Sequence, residues 1–66
     1  MKTINRIIIY PKDVQRITGK SERYGRQLLS KIRLQLAKES HQFISVEEFC
    51  QYTGLKSELV IRYLDN

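Results

Sequence analysis

Ile8-Ile9-Tyr10-Pro11-Lys12-Asp13-Val14-Gln15-Arg16-Ile17-Thr18-Gly19 and Phe43-Ile44-Ser45-Val46-Glu47-Glu48-Phe49-Cys50-Gln51-Tyr52-Thr53-Gly54 are two copies of one pattern, 35 positions apart in a chain of 66 residues. Each opens on two apolar residues, crosses a short polar stretch to a large apolar residue, and closes on Thr-Gly. A fixed offset of this kind marks a repeated supersecondary unit. In the second copy Ser45 and Glu48 have the spacing of a capping box, and Ile44 and Phe49 that of a hydrophobic staple. In the first copy Pro11 takes the first helical position, where a missing N–H costs nothing. Asp13 suits the positive end of the helix dipole, and Ile9 with Val14 repeats the staple. Gly19 and Gly54 then supply the left-handed residue that ends a helix.

Working outward, each copy continues into a second helical pattern, ending at Leu28-Leu29 and at Tyr63-Leu64. Ser21 is placed to cap a helix running to about Glu39. At about 100° per residue, Gly25, Leu28, Leu29, Ile32 and Leu36 share one face, and Arg23, Arg26, Gln27, Ser30 and Arg33 the other. Leu34 and Ala37 fall on the polar face, Leu34 being either a scattered surface leucine or a homodimer contact. Ser40-His41-Gln42 reads as a loop, followed by helices over 46–53 and 57–65. The β-branched run Ile7-Ile8-Ile9 makes residues 4–10 a candidate short strand, with Gln42-Phe43-Ile44 as its partner. The expected fold is mainly α: one domain over 1–66, built from two repeated helix-turn-helix units at 11–39 and 44–65. A short two-stranded ribbon is an optional addition, since such a ribbon is marginal alone.

The charge is unevenly spread. Residues 1–40 hold ten Lys and Arg against three acidic residues, and residues 41–66 hold two against four, for a net charge of +5. A basic part beside an acidic part suggests one side facing a polyanion and another facing something else. The single cysteine, Cys50, cannot close an internal disulfide, which points to the reducing cytoplasm. Cys50 and His41 are too few to build a zinc site, so no metal and no cofactor is expected. The apolar run Ile7-Ile8-Ile9-Tyr10 is far shorter than the roughly 20 residues of a membrane span. No nucleophile–base pair, Gly-rich phosphate loop or carboxylate cleft is legible, and the chain is not read as an enzyme.

The segment from Asp13 to Leu29 resembles the helix-turn-helix of small bacterial transcriptional regulators, in which a Thr-Gly turn leads into a recognition helix beginning at serine. The resemblance covers residues 11–33 strongly and 44–64 more weakly. Where that family carries a small and then an apolar residue, the first copy has Gln15 and Lys20, and the second has Cys50 and Leu55. The resemblance implies a recognition helix from Ser21 through Lys31. Charge then assigns duplex DNA to the first copy, through Lys20, Ser21, Arg23, Tyr24, Arg26 and Gln27. Arg23 or Arg26 suits guanine and Gln27 suits adenine. Arg16, Lys31 and Arg33 are candidate phosphate contacts. The expected role is a transcriptional regulator or a mobile-element accessory factor. Binding of RNA and docking of a protein through residues 44–65 stand as alternatives. A homodimer is attractive because one small module recognises little DNA alone.

Overall fold

The two Thr-Gly signatures end two short helices in the same way. The computed structural model describes residues 7–64, which are mainly helical: α1 (Pro11–Thr18), α2 (Glu22–Gln35), α3 (Val46–Thr53) and α4 (Ser57–Tyr63). Thr18 donates its hydroxyl to the Val14 carbonyl at 2.7 Å and accepts the Lys20 N–H at 3.2 Å. Thr53 does the same with Phe49 and Leu55, at 2.8 and 3.3 Å. Gly19 and Gly54 follow at φ 75° and 81°, a conformation a side chain would strain.

The helix starts also match. The Ser45 N–H donates to Glu48 Oε1 at 2.9 Å, and the Glu48 N–H donates to Ser45 Oγ at 3.0 Å. In α1 the Tyr10 N–H donates to Asp13 Oδ2 at 2.8 Å. Asp13 is therefore more than a charge at a helix end. It is 1% exposed, and Arg16 Nη1 reaches its other oxygen at 3.3 Å. A buried carboxylate is tolerable because donors meet it from backbone and side chain.

Both staples point inward. Ile9, Val14, Ile44 and Phe49 are buried with Leu29, Ile32, Val46, Cys50, Val60 and Leu64 in one core. Phe49 is its largest fully buried side chain; truncating a phenylalanine in such a place costs about 3–5 kcal/mol. That approaches the whole stability of a small domain. Close approach joins α1 to α2 at Gly25, where a Cβ would lie 2.5 Å from the Pro11 oxygen.

Four expectations are corrected. The second helix ends at Gln35 rather than near Glu39. Ala37 turns left-handed at φ 57°, with Ala37 N–H on the Leu34 carbonyl at 3.2 Å and Lys38 N–H on the Arg33 carbonyl at 2.8 Å. That is a Schellman ending built on alanine. Leu36, expected in the core, sits at this cap and is exposed. The strand over 4–10 is reduced, among the described residues, to a single antiparallel bridge between Ile8 and Ser45. Its bonds run from Ile9 N–H to Ile44 O at 3.0 Å and from Val46 N–H to Ile7 O at 2.8 Å. Pairing thus centres on Ser45, not on 42–44, because the cap at Ser45 must be reached before α3 can start. Residues 4–6 of that expectation lie outside the described residues. The last helix closes at Tyr63, not 65; residue 65 also lies outside. No described helix is long and apolar enough to cross a membrane.

Candidate nucleic-acid interface

The surface of α2 opposite its buried face is built by simple geometry. Gly25, Leu29 and Ile32 are buried, so the residues about half a turn away, Arg23, Gln27, Ser30 and Leu34, point straight out. Arg26 and Arg33 flank this row on one side, and Tyr24 and Lys31 on the other. Arg26, Gln27, Ser30 and Lys31 line a shallow surface depression.

Ser21 caps α2, its Oγ accepting the Tyr24 N–H at 3.1 Å. The hydroxyl proton stays available to an acceptor such as phosphate. Arg23, Gln27 and Lys31 are exposed, and their side chains hold no hydrogen bond or ion pair among the described residues. Arg26 meets Glu22 one turn back at 3.5 Å. Such an exposed i,i+4 pair is worth about 0.3–0.5 kcal/mol, so an external phosphate can displace it. Lys20 lies 5.4 Å from the Tyr24 ring centre, a cation–π contact that holds both residues at the head of the helix. Lys20, Ser21, Arg23, Tyr24, Arg26, Gln27 and Lys31 are thus brought together on α2 and the turn before it.

Two sequence-selected cations stand apart. Arg16 is on α1, engaged with buried Asp13. Arg33 is half-buried, and its Nε donates to the Gln42 carbonyl at 2.8 Å. It ties the end of α2 to the loop that follows. Lys38, which sequence reasoning left aside, completes this tie: its Nζ donates to the Phe43 carbonyl at 3.0 Å and pairs with Glu48 at 3.1 Å. The sequence carried no signal for this tie, because the turn that brings the chain back after Gln35 is set by an alanine.

The second unit has a different surface. Ile17 of α1 and Leu55, Leu59, Val60 and Tyr63 line a mainly apolar cleft between α1 and α4. Tyr10, Tyr52 and Tyr63 are rim residues rather than core. Burial pushes the Cys50 thiol upward in pKa, and the Glu47 charge adds to it; such a thiol is a packing residue and a poor nucleophile. Glu48 is held below the usual carboxylate range, first by the Ser45 N–H and then by Lys38. Among the described residues no group of three or more His, Cys, Asp or Glu is placed to hold a metal ion. No protein-family model, no curated protein and no solved structure matches this chain.

Proposed function

We propose that the protein binds duplex DNA, with α1 and α2 acting as a helix-turn-helix and α2 as the helix that enters the major groove. The observation that carries this reading is the cluster Lys20, Arg23, Arg26, Gln27 and Lys31 on one exposed surface, where Glu22 is the single acid and is already paired. A major groove is about 12 Å wide and admits one helix. Cations on both flanks of α2 suit its two phosphate walls, and the central row suits base edges. A role as a transcriptional regulator or a mobile-element accessory factor follows from that activity.

Fluorescence anisotropy of a labelled random duplex tests it, with a matched structured RNA alongside. Three phosphate contacts, from Lys20, Arg26 and Lys31, give a slope of log K against log salt of about −3. The Arg23→Ala/Arg26→Ala variant is expected to stay folded and lose binding. Absence of duplex binding at low salt from folded protein would reject the reading, and tighter RNA binding would turn it toward RNA.

A second reading has its own observation. The apolar cleft of Ile17, Leu55, Leu59, Val60 and Tyr63 suits a protein partner docking through the second unit, or a second copy of the chain. Leu59→Glu would abolish that docking and leave duplex binding in place.

A further inference from the structure

Leu34 is the most exposed large hydrophobic residue described, at 80%. It stands in the central row of α2, in line with Arg23, Gln27 and Ser30. A lone surface leucine needs no explanation by itself. The surroundings of this one are informative. It borders a shallow depression whose other lining residues are Ser30, Arg33, Lys38 and Ser40. An apolar contact between protein copies wants apolar neighbours, and a two-fold contact here would set Lys31 and Arg33 against their own kind. Two exposed hydroxyls, those of Ser30 and Ser40, beside one small apolar spot in line with Arg23 and Gln27 suit a different surface: the wall of a DNA major groove, where phosphates stand beside thymine C5-methyl groups.

We infer that Leu34 is a sequence-reading residue that packs on a thymine C5-methyl group. The inference rests on the duplex-binding reading above and extends it. Arg23 and Leu34 are eleven positions apart, which is about 16 Å along the helix and about five base pairs of duplex. The row then has a polarity. Arg23 lies at the end that prefers guanine, Gln27 suits adenine, Ser30 accepts either, and Leu34 marks the thymine end.

The test begins with selection of a preferred site from a library of 20-base-pair random duplexes by the full chain. Each thymine of the selected duplex is then replaced singly by deoxyuridine, which removes only the methyl group. One replacement is expected to weaken wild-type binding about fourfold, the worth of one buried methyl-sized group. That position should lie about five base pairs from the one whose preference relaxes in Arg23→Ala. The same replacement should leave Leu34→Ala binding unchanged, because the variant has already lost the contact. Leu34 is so exposed that its truncation leaves the fold intact. Site selection with no methyl effect, or with an equal effect in Leu34→Ala, overturns the inference alone. So does a drop in self-association of Leu34→Ala in analytical ultracentrifugation. Failure to enrich any duplex overturns the duplex-binding reading beneath it.

Discussion

A Cβ added to Gly25 would stand 2.5 Å from the Pro11 carbonyl oxygen and 3.2 Å from two further Pro11 backbone atoms. Alanine in a helix interior is normally better than glycine by about 1 kcal/mol. At this position the neighbour is backbone and cannot swing aside, so α1 and α2 must separate, at a cost of about 1–3 kcal/mol. Gly25→Ala is expected to be a net loss, lowering the melting temperature by several degrees in a domain of this size. Gln27→Ala, on the exposed face of the same helix, should leave it nearly unchanged. Thermal denaturation of both variants decides, and an unshifted Gly25→Ala would mean the two helices are not in this contact.

Ala37 offers the opposite case. It holds φ 57° at the end of α2, where an L-residue pays about 1–2 kcal/mol. Glycine relieves that strain and gives back part of the gain as unfolded-chain entropy. Ala37→Gly should stabilise the protein by about 0.5–1 kcal/mol in urea denaturation, with no change in m-value. A loss of stability would show that the turn after Gln35 is not left-handed.

These two positions show where the sequence was legible. The 35-residue offset located all four helices because each signal was local: Pro11, Ser21, the Ser45–Glu48 box, Gly19 and Gly54. The threonines belonged to the same signal, since Thr18 and Thr53 close their helices with matching bonds. The end of α2 was not legible, because alanine is the best helix former and nothing about Ala37 announces a left-handed residue. Counterparts also hid a difference. Gly25 of the first copy matches Val60 of the second, which is fully buried; one copy uses close backbone approach where the other fills space with a side chain. For the candidate interface, spacing sufficed to put Arg23, Arg26 and Gln27 on one exposed face. Spacing could not reveal that Arg33 reaches across to Gln42, because that partner is brought near only by the turn at Ala37.

Glu48 makes stability depend on acid. Its folded-state pKa lies below the ordinary 4.5, chiefly because the Ser45 N–H bonds its carboxylate, with Lys38 adding charge. For a carboxylate whose folded pKa is depressed, the stabilisation is fully present above the unfolded value and is lost as pH falls through the folded one. Urea midpoints should therefore fall below about pH 4.5. In Glu48→Gln the fall between pH 5 and pH 3 should be shallower, and in Lys38→Ala intermediate. Identical acid profiles for wild type and Glu48→Gln would remove Glu48 as a source of the dependence.

Lys31 and Arg33 look equivalent in sequence, two cations two positions apart on α2. The structure divides them. Lys31 is exposed and its side chain is unengaged among the described residues, whereas Arg33 donates Nε to the Gln42 carbonyl at 2.8 Å. If α2 lies in a groove with Lys31 against one phosphate wall, Lys31→Ala removes one counterion-releasing contact. Binding to duplex should then weaken, and the slope of log K against log salt should become shallower by about 0.9. Its melting temperature should not move, because an exposed lysine carries little stability. Arg33→Ala instead leaves the Gln42 carbonyl without this charge-assisted donor and frees the loop that leads into α3. Its stability should fall by about 0.5–1 kcal/mol, since the bond is exposed and water can replace the donor. Any loss of duplex affinity in Arg33→Ala should be smaller than in Lys31→Ala when both are measured well below their melting temperatures. Salt titrations and melting curves on the two variants separate the roles. A Lys31→Ala slope equal to wild type would place that side chain outside the interface, and an Arg33→Ala slope reduced by the same 0.9 would show that its free guanidinium nitrogens reach a phosphate despite the tie to Gln42.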